Sequence, residues 1–406
     1  MTTIKILLNS IISTKRARFC NIDLKDFYLN TPMQRYEYML VPIDLIPKDI
    51  FQEYNLKDKV QNGKVLAEIR KGMYGLPQAG RLAYDKLLTS LASGGYIPAG
   101  STPGLFTHKS RPIQFFLIVD DFGVKYTHRQ DCEDLITHLK KEGYKTVTNW
   151  DGNIFCGIRL LWDYDSPQRS VELSMPGVVQ NALTRFKHTP PNKAQDSPHP
   201  WIPPQYGAKR QLAPPPLSRI PLTPQQVKWV QEVVGVFLHY ARAVENTMLA
   251  SIGSIASSHS TSTWTDIERR TLHFLDYASS HPNASIRYVA SQMQLWAHSD
   301  ASYLCESKAR SRAGGYHFLS DSPTYPISAT DIPPPHNAPI QVISKILDTV
   351  MSSVQEAETG AGFVNGKELV PSIRTLEALG HKQSPVPIQF DNKVATALMK
   401  EEYKPK

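Results

Sequence analysis

Phe115-Phe116-Leu117-Ile118-Val119-Asp120-Asp121-Phe122-Gly123-Val124-Lys125-Tyr126 joins a short apolar run to a second run through two adjacent aspartates. Runs of this length, rich in Phe, Ile and Val, read as strands, so the stretch predicts strand, acidic turn, strand. Neighbouring carboxylates beside an apolar core repel one another and resist desolvation. They are tolerated where water keeps the turn wet or where cations neutralise them. For an isolated D-D pair the plain reading is a solvated hairpin turn, since so short a motif often matches by chance.

Working outward, a second acidic segment lies 97 residues before Asp120: Asn21-Ile22-Asp23-Leu24-Lys25-Asp26-Phe27-Tyr28-Leu29-Asn30. Asp23 follows a run suited to a strand end, and Tyr28 comes five residues later. Between the two sites, Lys71-Gly72-Met73-Tyr74-Gly75-Leu76-Pro77-Gln78-Ala79-Gly80 is a Gly/Pro-punctuated turn that opens a helix through Leu82, Leu87 and Leu88. In order, spacing and flanking residues these segments resemble the palm of reverse transcriptases. The Y-G-L-x-Q-A core of the turn is similar to the Ty1/copia branch of retrotransposons. The resemblance implies that Asp23 and Asp120 hold two Mg²⁺ ions with Asp121 assisting, Mn²⁺ being an alternative. It also implies that Tyr28 screens the sugar 2′-hydroxyl and that Gln78 contacts the incoming dNTP. A core tyrosine and a helix-cap amide are the plain readings of those two residues. Phe155-Cys156-Gly157-Ile158 resembles a strand near the primer grip, and would look the same as an ordinary hairpin strand.

Prolines at 190, 191, 198, 200, 203, 204, 214, 215, 216, 221 and 224 mark a connector, because proline lacks the amide donor and fixes φ. Two amphipathic helices are expected after it. Thr223-Pro224-Gln225-Gln226 reads as a capping box, with Val227, Val230, Val234, Phe237, Ala241 and Val244 as the buried stripe. The second helix is expected from about Thr265, through Leu272, Leu275 and Ala278, to His281-Pro282.

The last third repeats the pattern of strands ending in acid. Leu295-Trp296-Ala297-His298-Ser299-Asp300, Gly314–Leu319 and Ile340–Ser344 suggest three antiparallel strands. A helix follows in which Val350, Val354, Ala357, Ala361 and Val364 make an apolar stripe, with Glu358 on its edge and Glu356 opposite. Ile388-Gln389-Phe390-Asp391 supplies a further strand. Each aspartate alone reads as a turn or helix cap. The S-D-A-S, E-A-E and F-D-N series resembles the ribonuclease H of copia-type elements, which implies that Asp300, Glu358 and Asp391 bind two Mg²⁺ for cleavage of the RNA strand of an RNA/DNA hybrid.

The fold class expected is therefore α+β: a reverse transcriptase palm over 1–186, a Pro-rich connector over 187–222, a helical thumb or connection segment over 223–290, and an RNase H-like α/β domain over 291–406. RNA template, RNA/DNA hybrid and dNTPs are the implied partners, with a dimer or a longer polyprotein as context. The family's fingers would need far more than the 22 residues before Asp23, and its fourth RNase H ligand would lie beyond Lys406, so both ends read as cut. A net charge of +8 favours a polyanionic partner. Scattered cysteines at 20, 132, 156 and 305 indicate neither a zinc site nor a disulfide framework. The absence of a long apolar run or a signal peptide points to an intracellular protein, cytoplasmic in a virus-like particle or nuclear, with no membrane partner. The competing reading is a decayed or domesticated retroelement fragment that binds nucleic acid without catalysis.

Overall fold

The computed structural model describes residues 1–200, 221–258, 262–323 and 334–399. The chain divides into two units, one formed by Arg18–Asp151 and the other by Met1–Ala17 together with Gly152–Lys406. Helices and sheets are mixed and largely antiparallel, an α+β architecture. No helix among the described residues is long and apolar enough to cross a membrane.

The Arg18–Asp151 unit is built on β1 (Arg18–Lys25), β2 (Pro32–Pro42), β3 (Val60–Gln61), β4 (Lys64–Lys71), β5 (Tyr96–Pro98), β6 (Leu105–His108), β7 (Ile113–Ile118), β8 (Asp121–Tyr126) and β9 (Lys145–Asn149). Six of these form one sheet in the order β5-β6-β7-β8-β1-β9. Helix α1 (Thr2–Ser13) belongs to the other unit, and the helices of this one are α2 (Lys48–Glu53), α3 (Pro77–Ser93) and α4 (Arg129–Lys141). The apolar face of the sheet, with Cys20, Ile22, Leu24, Phe115, Leu117, Phe122 and Val124, packs in one cluster with Leu87 and Leu91 of α3 and Leu135 and Leu139 of α4. Phe106 and Phe115 stack at 5.0 Å within it. Burying such side chains contributes about 1.5–3 kcal/mol each, which fixes the register of the acidic strand ends. Strands β2, β4 and β3 make a separate sheet that exposes Tyr36, Tyr38, Leu40 and Leu66.

In the other unit, β10 (Ile154–Phe155), β11 (Ile158–Asp163), β12 (Ser170–Ser174) and β13 (Ser285–Val289) form an antiparallel sheet. Cys156-Gly157 is the turn between β10 and β11, with φ of 52° and 75°, so the F-C-G-I segment is a hairpin corner rather than the strand expected. Helices α5 (Val178–Arg185), α6 (Pro224–Ala243), α7 (Met248–Ser258) and α8 (Trp264–Ser280) follow. The Thr223 capping box is present in both of its hydrogen bonds. The second cap is Thr263, whose hydroxyl accepts from the Asp266 amide, not Thr265, and Leu272 is exposed while Phe274 and Thr271 are buried. Helix α7 was not expected at all. Connector prolines 203, 204, 214, 215 and 216 lie outside the described residues, and the described stretch from 187 to 200 carries neither helix nor strand.

The last sheet holds β14 (Gln294–Glu306), β15 (Arg310–Ser320), β16 (Pro339–Ile346) and β17 (Ile388–Gln389) in the order β16-β15-β14-β17. β17 runs parallel to β14, and the others are antiparallel. Helix α9 (Val354–Ala378) packs against β14 and β15, and α10 (Lys393–Met399) follows β17. The buried face of α9 is Ala357, Glu358, Ala361, Gly362, Asn365, Leu369, Ser372 and Leu376, whereas Val350 and Val354 are exposed. Ala357 and Ala361 of the expected stripe are buried and Val364 packs against their cluster, so the stripe holds from Ala357 onward and fails only at Val350, which precedes the helix, and Val354, which begins it. Helix α1 packs on α9, β16, β12 and β13 with nine consecutive buried residues, Ile4–Ile12. Among them Lys5 donates to the Pro339 carbonyl at 3.4 Å, and the Ser10 hydroxyl meets His381 Nε2 at 2.7 Å.

Candidate functional sites

In the Arg18–Asp151 unit the acidic stretch forms a hairpin whose turn is Val119-Asp120, since Ile118 pairs with Asp121. Val119 has φ of 59°, a strained conformation for a β-branched residue, and it is exposed. The neighbouring strand β1 places Asp23 directly opposite Asp121, and the Leu24 amide donates to the Asp120 carbonyl at 3.0 Å. Backbone pairing thus brings Asp23, Asp120 and Asp121 to one edge. Burial raises the Asp120 carboxyl above its ordinary range and Asp23 adds to this, while a hydrogen bond to its own amide and the Lys25 charge oppose it. Asp121 is raised by burial first, then by Asp120 and Asp23. Lys25 Nζ contacts the Asp23 carboxylate directly, and that pairing raises the Lys25 ammonium.

Tyr28 and Gln78 stand near the turn that precedes α3. Tyr28 packs edge-on against Tyr74 at 4.8 Å, and its backbone carbonyl is approached so closely by Gly72 that a Cβ there would lie 2.7 Å from the oxygen. Gln78, in the first turn of α3, donates its amide to Glu37 at 2.8 Å. Tyr74 was not singled out from the sequence. It is largely exposed, and partial loss of water around its hydroxyl, then the nearby charge of Asp120, raise that hydroxyl above its ordinary value.

The second site is closed more tightly. Among the described residues, Asp300, Glu358 and Asp391 are the one set of acidic, histidine or cysteine side chains whose ligand atoms all fall within 4.8 Å of one another. Asp300 comes from β14, Glu358 from the second turn of α9 and Asp391 from the residues just after β17. Glu358 is only 4% exposed, and its Oε2 has no hydrogen-bond partner. Its carboxyl is pushed up to about 7 by burial, then by the charges of Asp300 and Asp391, against a hydrogen bond from the Ala301 amide. Ala301 N–H also donates to Asp300 Oδ1 at 2.8 Å. Glu356, by contrast, accepts from the Ser352 amide at 2.6 Å and serves the start of α9.

A polar network that the sequence did not reveal holds α9 over this sheet. Asn365, wholly buried, donates to Ser299 Oγ at 3.0 Å, Gly314 O at 2.9 Å and Ala361 O at 2.9 Å, and its Oδ1 meets His317 Nε2 at 2.8 Å. A Cβ on Gly315 would lie 2.0 Å from that same Oδ1, so glycine is required opposite it. Gly314 pairs with Asp300 across the strands. The Gly314-Gly315 doublet was the available signal for close approach by a helix.

Three acidic side chains at this separation, one of them buried with a free oxygen, fit a divalent cation. All the donors are carboxylate oxygens, the set that suits Mg²⁺ or Mn²⁺. No protein-family model matches the chain, and no curated protein does. Among solved structures, the chain is similar to one described as the foamy viral protease-reverse transcriptase in complex with RNA/DNA hybrid, at 14% identity and a TM-score of 0.44. That similarity covers 98% of this chain and 42% of the other, so the chain spans less than half of that protein's length.

Proposed function

We propose that the chain is an RNA-directed DNA polymerase with ribonuclease H of the Ty1/copia type, its RNase H site formed by Asp300, Glu358 and Asp391 and its polymerase site by Asp23, Asp120 and Asp121. The carrying observation is the convergence of Asp300, Glu358 and Asp391 from a strand, a helix and a parallel edge strand to within 4.8 Å. These residues would hold Mg²⁺, which when bound supplies Lewis-acid activation of water and neutralises charge on the scissile phosphate. Glu358 keeps its oxygens turned to the site because Asn365 and the Gly314-Gly315 strand seat its helix. Asp300 is steadied by the Ala301 amide.

The test is cleavage of a labelled RNA/DNA hybrid with Mg²⁺, run beside Asp300→Asn. Cutting of the RNA strand by the parent and at least 100-fold less by the variant supports the reading; equal cutting, or none by the parent, defeats it. For the Arg18–Asp151 unit a second reading, nucleic-acid binding without synthesis, is favoured by Lys25, whose ammonium already occupies the Asp23 carboxylate. Primer extension on an RNA template, beside Asp120→Asn, separates the two. Extension that the variant abolishes supports the polymerase, and retention of template binding with no extension supports the alternative.

A further inference from the structure

Cys20 on β1 and Cys132 on α4 sit in the core of the Arg18–Asp151 unit, both fully buried, with their sulfurs 3.2 Å apart. A disulfide requires roughly 2.05 Å, so the two atoms stand only about 1 Å beyond bonding distance. They are the only cysteines of this unit, since the other two of the four, Cys156 and Cys305, belong to the Met1–Ala17 and Gly152–Lys406 unit. The thiols face each other within the cluster that also contains Ile22, Tyr126 and Leu135. Pairing of two sulfurs across elements 112 positions apart is not produced by local chain geometry.

From this juxtaposition we infer that Cys20 and Cys132 form a reversible intramolecular disulfide when the protein meets a peroxide-class oxidant. One sulfur, as thiolate, attacks a peroxide oxygen, breaking the O–O bond and becoming a sulfenic acid as the first water leaves. The second sulfur then attacks the sulfenic sulfur. The S–O bond breaks, the hydroxyl departs with the remaining thiol proton as a second water, and the S–S bond is made. Two thiols have lost two electrons and two protons, and hydrogen peroxide has been reduced to two waters. Cys20 is held as a thiol by its hydrogen bond with Cys132 and by burial. Reaction therefore proceeds through brief local opening, admits small oxidants and excludes bulky ones. The bond would tie β1, three residues before Asp23, to α4. It would also restrict the unfolded chain over a long loop, so the oxidised unit unfolds at higher temperature.

The experiment treats the full chain with hydrogen peroxide, quenches, unfolds it in an alkylating reagent, and maps the peptides. The expected result is a Cys20–Cys132 linked peptide as the main linked species, with alkylation restricted to Cys156 and Cys305 and restored at all four positions by dithiothreitol. Melting of the treated protein should shift upward by several degrees, and the shift should be absent in Cys132→Ser. Full alkylation of Cys20 and Cys132, their conversion to sulfinic acid, or linkage to Cys156 or Cys305 would each overturn the inference. Peptide mapping of the parent decides the matter even where the variant does not fold. Mass and melting are read without any enzymatic activity.

Discussion

Replacing Glu358 by glutamine removes a charge that has little solvent and two carboxylates for neighbours. The folded value of about 7 lies above the ordinary 4.5, so the native state holds this proton longer than the unfolded chain does. Stability therefore falls as pH rises from 4.5 to about 7, and the cost is complete above that. Full conversion of the displacement gives about 3 kcal/mol at pH 8. Exposed Asp300 and Asp391 are screened by water, and about half that figure is the reasonable expectation. For a unit of this size roughly 2–4 °C accompanies each kcal/mol, so Glu358→Gln should melt about 3–6 °C above the parent at pH 8 without metal. Near pH 5 the two should nearly coincide, because the parent's carboxyl is then protonated. Added Mg²⁺ should raise the parent at pH 8 and leave the variant almost unmoved, since only the parent binds it tightly. Scanning calorimetry at both pH values, with chelator and with Mg²⁺, reads all of this. A variant that melts below the parent at pH 8, or that keeps the parent's decline between pH 5 and 8, would refute the argument.

Gly315→Ala should destabilise by about 1–3 kcal/mol in urea unfolding because its methyl meets Asn365 Oδ1, and Asn365→Ala by about 3 kcal/mol because four partners lose their bonds. Combined, the two should cost less than their sum, as the second removes the first one's clash. Burial lowers Lys5 to about 7, below its unfolded value, so stability should rise with pH from about 7 to 10.5. Lys5→Met should flatten that slope and stabilise at pH 6 by about 2–4 kcal/mol, measured by melting across pH. Gly72→Ala, with its methyl 2.7 Å from the Tyr28 carbonyl, should cost the Arg18–Asp151 unit about 1–3 kcal/mol by urea unfolding monitored at the tyrosines.

The acidic hairpin could be read from the sequence because buried apolar runs flank it on both sides, and burial of one face leaves a single register for the strands. The Thr223 cap was equally legible, since its two hydrogen bonds are made by residues three apart. Helix α7 was not. Its sequence, MLASIGSIASS, carries small and apolar residues on every side, so no polar face announces a helical period. The α9 stripe is legible at Ala357, Ala361 and Val364 but not at its start or in its polar part. Val350 and Val354 have the right chemistry but precede or begin the helix, while the face that is buried contains Glu358, Asn365 and Ser372, whose polarity hides it. Asn365 fits there only because strand carbonyls and His317 meet its amide, a fact about another element. The destination of α1 was also beyond local reasoning, as its partners lie more than 150 residues away.

That last helix has a consequence for how the molecule is made. During synthesis α1 leaves the ribosome before the whole Arg18–Asp151 unit, yet the elements it packs against most, β12, β13, β16 and α9, come after that unit. At roughly 5–20 residues per second the intervening stretch alone takes on the order of 10–30 s. For that interval Ile4, Ile6, Leu7, Leu8, Ile11 and Ile12 have no native surface to cover, while the intervening unit has its own core and can fold in the meantime. Over that interval the nascent chain carries an uncovered apolar helix, a place for a chaperone to act.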